Sequence, residues 1–102
     1  MRCTWGAAEW FTAKKMLKDF YYVYVLRSLK DRLFYIGSSA NVEHRLLEHN
    51  QGKNISTKNR RPFELIFYEA FPSKADALRR EKYFKTTKGK VTIRQMLREH
   101  LK

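Results

Sequence analysis

The sequence predicts an α+β domain, a three-stranded antiparallel sheet flanked by helices, and three observations carry that reading. Two short runs dense in aromatic and β-branched residues, Phe20–Leu26 and Leu33–Ile36, lie either side of Lys30-Asp31-Arg32. Such runs favour strands, and so tight a connection makes them an antiparallel hairpin. A third apolar run, Glu64–Phe71, follows Pro62. Between and after the strands, apolar residues recur at three- and four-residue spacing, the period of amphipathic helices. The order is ββαβαα, with helices packed around the sheet.

Within residues 1–20, Trp5, Ala8 and Phe11, with Ala7, Trp10, Lys14 and Leu17 nearby, fit a short amphipathic helix. Residues 1–19 are therefore read as an N-terminal extension packing its tryptophans on the domain, and residues 20–102 as the domain itself. A membrane-surface or partner helix, or a translated leader, is the alternative. Gly37-Ser38-Ser39 ends the second strand, and Ser39 or Asn41 caps a first helix through Val42, Leu46 and Leu47 that runs to Gly52. A loop with Lys53, Lys58, Arg60 and Arg61 and no acid follows, closed by Pro62 before the third strand. Ser73 is the expected N-cap of a second helix marked by Ala77, Leu78, Tyr83 and Phe84, with a break at Lys88-Gly89-Lys90. A last helix turns Ile93, Met96, Leu97 and Leu101 inward and Arg94, Arg98 and Lys102 to solvent.

A chain of 102 residues with 43% hydrophobic and 15% aromatic residues has material for one small core and is too apolar for disorder. Against 22 Lys and Arg stand 10 Asp and Glu, a net charge of +12, so a polyanion is the first partner to consider, and nucleic acid leads. A basic face for acidic lipid, or plain solubility, would carry the same charge. The single Cys3 excludes an internal disulfide and the common thiolate zinc spacings, which fits a reducing cytoplasmic setting. No apolar run approaches the length of a bilayer span or of a secretory signal, and no obligate protein partner is evident.

Arg45 and His49 lie four residues apart, on one face of the first helix. Facing a phosphate, a guanidinium would supply a permanent planar cation and an imidazole a proton acceptor near neutral pH. From these residues alone, a solvated face that includes Glu48 is the simpler reading. Tyr24 and Tyr35 fall where hairpin pairing can bring them near one another, although core packing is the ordinary role of strand tyrosines. A tyrosine base needs a nearby cation or histidine, because its reference pKa is about 10. Glu81, within Arg79-Arg80-Glu81-Lys82, is either an exposed ion-pair partner or a hard-oxygen ligand holding Mg²⁺ against a phosphate.

Taken in order, Tyr22-Val23-Tyr24, Tyr35-Ile36-Gly37, Gly37-Ser38-Ser39, Arg45, His49 and Leu78-Arg79-Arg80-Glu81-Lys82-Tyr83 resemble the GIY-YIG nuclease family, in particular its small stand-alone bacterial members. The resemblance runs from about Phe20 to Arg98. It implies a metal-dependent endonuclease acting on DNA. Tyr24 would be the general base, Tyr35 would shape the site and assist the attacking oxygen, and Arg45 would stabilise the phosphoryl group. His49 would relay the proton from Tyr24, and Glu81 would hold one divalent cation, Mg²⁺ or Mn²⁺. Lys53, Lys58, Arg60, Arg61, Arg79, Arg80, Lys88 and Lys90 are the expected nucleic-acid-binding cations. Two positions depart from the family pattern. Tyr22 replaces the first glycine, and no asparagine follows Asn59 where many members carry one after the metal glutamate, leaving Lys88, Lys90 or Gln95 as polar candidates. The competing class is a non-catalytic nucleic-acid-binding module on the same scaffold.

Overall fold

A computed structural model of the protein describes residues 19–102, so the expected N-terminal helix lies outside the described residues. Three strands, β1 (Tyr21–Ser28), β2 (Phe34–Ser39) and β3 (Phe63–Phe71), form one antiparallel sheet in the order β2-β1-β3. The central strand carries the least polar run: Val23, Val25 and Leu26 are fully buried and Tyr24 nearly so, because helices cover both faces of the sheet. Successive side chains point to opposite faces. Val23, Val25 and Ile36 pack against Ala77, Phe84 and Ile93 of helices α2 (Lys74–Phe84) and α3 (Thr87–Met96). Tyr24, Leu26 and Phe63 pack on the other face with Val42 and Leu46 of helix α1 (Val42–Asn50).

The hairpin turn is closed from within. Ser28 is buried, and its Oγ accepts from the backbone N–H groups of Lys30 and Asp31, each at 3.1 Å. The same hydroxyl donates to the Arg60 carbonyl at 2.6 Å, which fastens the basic loop to the turn. Arg32 takes the left-handed conformation the turn requires, at φ 64.

Of the two capping candidates for α1, Asn41 is the cap: its Oδ1 accepts from His44 N at 3.0 Å, while Ser39 Oγ accepts from Asn41 N. The helix ends at Asn50, and Gly52, at φ 77, supplies the left-handed residue just beyond it. Ser73 occupies the N-cap position of α2, but its side chain makes no capping hydrogen bond.

The expected break at Lys88-Gly89-Lys90 is corrected by the structure. The chain turns at Lys85–Thr86 instead, where Thr86 Oγ1 donates to Tyr83 O and accepts from Gly89 N at 3.0 Å to cap α3. Gly89 is buried inside the first turn, and a Cβ there would lie 2.6 Å from Phe84 Cα. The glycine permits a close approach of two helices, a role its sequence position does not distinguish from breaking one. The last helix is shorter than expected: it ends at Met96, which is exposed rather than turned inward, and Leu97 packs on the first cluster from just beyond it, while Arg94 folds over the Phe34 ring at 5.1 Å.

Candidate active site

The hairpin register sets Tyr24 opposite Gly37. A Cβ on Gly37 would overlap the Tyr24 hydroxyl and lie 2.6 Å from its Cζ, so glycine at this position leaves room for the phenol. From below, α1 sends His49 into the same space. His49 is 2% exposed, its Nε2 lies 3.4 Å from Tyr24 Oη, and its ring meets Tyr35 edge-on with centroids 4.7 Å apart. Phe63 closes another side at 5.9 Å. On the far side of the imidazole, Nδ1 lies 2.9 Å from Thr57 Oγ1.

Burial raises the Tyr24 pKa to about 12; Tyr35, Glu81 and Glu48 push the same way, and the Arg45 guanidinium opposes them. Burial, and then Arg45, holds His49 below its ordinary value of 6.5, with Glu48 opposing. The pair is therefore a neutral phenol beside a neutral imidazole at neutral pH.

Arg45 stands one turn from His49 at the solvent rim, with Nη1 3.6 Å from Glu48 Oε1. Arg45 and Glu48 line two adjoining cavities. One, of ≈ 330 Å³, includes Ser38, Ser39, His44 and Lys74; the other, of ≈ 290 Å³, includes His49, Lys53 and Asn54. Glu81 comes from α2, and Ser38, the neighbour of Gly37, donates from Oγ to Glu81 Oε1 at 2.6 Å. Lys85 Nζ lies 2.8 Å from the other carboxylate oxygen.

Tyr24, Tyr35 and His49 are thus in direct contact and Arg45 borders them, whereas Glu81, on the helix that packs against the other face of the sheet, is tied to Ser38, which shares a cavity with Arg45. Among the described residues, Lys88, Lys90 and Gln95 make no hydrogen bond or ion pair with Glu81, whereas Lys85 does. No group of three or more His, Cys, Asp or Glu side chains that could hold a metal ion occurs among the described residues. A half-buried single carboxylate whose partner Ser38 lines an open cavity still suits a hard cation that keeps its waters and shares substrate oxygens.

The expected backbone-gripping cations divide into two groups. Lys53, Lys58, Arg61, Arg79, Lys88 and Lys90 are exposed, although Arg79 pairs with Asp76 and Arg61 Nε donates to Lys58 O at 2.8 Å. Arg60 and Arg80 are occupied within the fold. Arg60 Nε lies 2.7 Å from Asp31 Oδ2, and Arg80 Nε lies 2.8 Å from Glu69 Oε1 with its guanidinium 4.3 Å from the centre of the Phe84 ring. A further basic cavity of ≈ 630 Å³ joins Arg94, Arg98 and Lys102, the solvent-facing stripe read from the sequence, to Arg27, Arg32 and Phe34 of the hairpin, a meeting that no local pattern shows. Thr57 was not singled out by the sequence, and Ser38 entered only as part of Gly37-Ser38-Ser39, without a partner. A hydroxyl with polar or small neighbours, such as Thr57 between Ser56 and Lys58, gives no signal of burial.

The described fold is thus a three-stranded sheet with a histidine-bearing helix beneath paired tyrosines and a lone carboxylate on a helix behind the second strand. The sequence matches the GIY-YIG catalytic domain family over residues 20–95. The chain belongs to that family, which is one of nuclease domains. It is 46% identical over 67 residues to a UPF0213 protein of Staphylococcus haemolyticus, covering 65% of this chain and 80% of the relative. A UPF0213 protein of Natronomonas pharaonis is 43% identical over 67 residues, covering 65% and 78%. One from Staphylococcus saprophyticus is 39% identical over 69 residues, covering 67% and 83%. No helix among the described residues is long and apolar enough to cross a membrane.

Proposed function

We propose that this protein is a divalent-metal-dependent endonuclease that hydrolyses phosphodiester bonds in DNA, with residues 20–102 forming the catalytic domain. The observation that carries the proposal is the buried contact between the Tyr24 hydroxyl and His49 Nε2, at the border of cavities that Arg45 shares. With the Tyr24 pKa raised to about 12, a free tyrosinate is scarce at neutral pH. Tyr24 therefore acts as a relay: as its oxygen takes a proton from the attacking water, its own proton passes to His49 Nε2. The hydroxide adds to phosphorus, the bond to the leaving oxygen breaks and that oxygen takes a proton from solvent water, and the imidazolium returns its proton to solvent. A His49 held below its ordinary pKa by burial starts each cycle unprotonated, as the relay requires.

Arg45, at the rim, offers its guanidinium to the phosphoryl oxygens, where charge builds as the bond breaks. Glu81 would hold the divalent cation, Mg²⁺ or Mn²⁺, which when bound neutralises phosphate charge and stabilises the departing oxygen. Ser38 orients Glu81, and Tyr35 packs the imidazole edge so that Nε2 stays aimed at Tyr24. Exposed Lys53, Lys58, Arg61, Arg79, Lys88 and Lys90, with the Arg94 and Arg98 cavity, hold the backbone of the nucleic acid. Phosphate contacts confer affinity without sequence preference.

The test is incubation of the purified protein with single-stranded, duplex and branched DNA in Mg²⁺ or Mn²⁺. Product is expected with the wild type and lost in Tyr24→Phe and Glu81→Gln. Cleavage that persists in both variants would rule out this site. Salt-sensitive binding with no product under any metal would favour the non-catalytic module.

A further inference from the structure

We infer that Thr57 is a positioning residue for this site: its hydroxyl holds His49 in the Nδ1–H form, leaving the Nε2 lone pair aimed at Tyr24. The catalytic meaning of the inference rests on the nuclease reading, whereas the tautomer itself does not. The protons available to this buried chain of groups decide the tautomer. Tyr24 and His49 are each 2% exposed and Thr57 is 1% exposed, so in the resting site, before substrate brings the attacking water to Tyr24, solvent is a poor source of hydrogen-bond partners. Tyr24 Oη has His49 Nε2 at 3.4 Å, His49 Nδ1 has Thr57 Oγ1 at 2.9 Å, and Thr57 Oγ1 has the Asn54 carbonyl at 3.4 Å.

With the proton on Nδ1, every donor finds an acceptor: Tyr24 donates to His49, His49 to Thr57, and Thr57 to Asn54. With it on Nε2, the imidazole N–H points at the Tyr24 oxygen and the phenol proton loses its only hydrogen-bond acceptor among the described residues. Burial makes such an orphaned donor costly, which selects the first arrangement. Only that arrangement lets Nε2 accept the proton that Tyr24 must shed.

Thr57 is itself held in register. Its N–H donates to Asn54 O at 3.2 Å, and Arg60 N donates to Thr57 O at 2.9 Å, so one short turn carries both the tautomer-setting hydroxyl and the basic loop. The other groups around the imidazole, the Tyr35 and Phe63 rings, offer no competing acceptor to Nδ1.

The experiment is ¹⁵N NMR of the histidine side chains in the full-length protein, with His49→Gln used to assign the His49 signals. The wild type should give the Nδ1–H pattern, Thr57→Val should lose it, and Thr57→Ser should keep it. DNA cleavage should fall by about 10- to 100-fold in Thr57→Val and recover in Thr57→Ser, the size typical of losing a group that orients a catalytic histidine. An Nε2–H pattern in the wild type overturns the inference without any variant. So does a folded Thr57→Val protein with an unchanged tautomer or undiminished cleavage. If the wild type cuts no DNA, the nuclease reading falls while the NMR pattern still decides the tautomer.

Discussion

The two faces of the sheet are built from the same strands and differ in what they bury. The face under α2 and α3 is sealed by apolar side chains, with Val23, Val25, Ala77, Phe84 and Ile93 all at zero exposure. The face over α1 buries a phenol, an imidazole and two hydroxyls among its apolar residues, each with a hydrogen-bond partner. Burying polar groups gains little stability even when they are paired, so the first face must supply most of it. The second is free to hold groups whose proton positions matter.

The comparison is broken most sharply by substituting each face in turn. Phe84→Ala should cost about 3–5 kcal/mol in a denaturant titration, because a fully buried ring leaves a cavity, while the folded fraction keeps its cleavage rate. Tyr24→Phe should do the reverse, slowing cleavage by about 10²- to 10⁴-fold, the usual worth of acid–base assistance, with a stability change near 1 kcal/mol. Equal stability losses from the two would erase the distinction. Gly37→Ala tests the boundary between them. The added methyl meets the Tyr24 ring, so about 1–3 kcal/mol of stability and most of the cleavage should be lost together.

Acid should act through the α1 face. Folding holds the His49 pKa below 6.5, so the unfolded chain binds more protons in the interval between the two values. That contribution is complete above pH 6.5 and is lost as pH falls through the folded value. His49→Gln should flatten this limb of the stability curve, whereas Ile93→Val, on the other face, should lower the whole curve and keep its slope. The smallest effect belongs to Arg79→Ala, whose exposed pair with Asp76 is worth at most about 1 kcal/mol in the same titration.

The element order and the helix periods were legible because each is a local pattern, Phe20–Leu26 and the Val42–Leu46 spacing being examples, whereas the place of β1 between β2 and β3 is set by pairing at a distance. The Arg45–His49 pair was legible as a face, and which of the two points inward was not, since that depends on how α1 meets the sheet. Gly89 was misread because a glycine needed for close helix contact and one that breaks a helix look alike in sequence. Thr57 was invisible: its importance comes from a histidine eight residues earlier turning beneath a distant tyrosine. Arg60 and Arg80 counted toward the net charge, yet their partners Asp31 and Glu69 lie 29 and 11 residues away and were met only in three dimensions.

The Ser28 hydroxyl has a consequence for how this domain can change length. By tying Arg60 to the hairpin, it anchors one end of the loop, while the apex near Ile55, which is 90% exposed, touches little of the fold. Even a single residue added between Thr57 and Arg60 should pull the hinge of the segment out of step with the sheet, and one added at Ile55 should break the Asn54–Thr57 turn that seats the Thr57 hydroxyl. A buried alcohol here does what a cross-link does in disulfide-rich domains, in a chain whose single cysteine cannot.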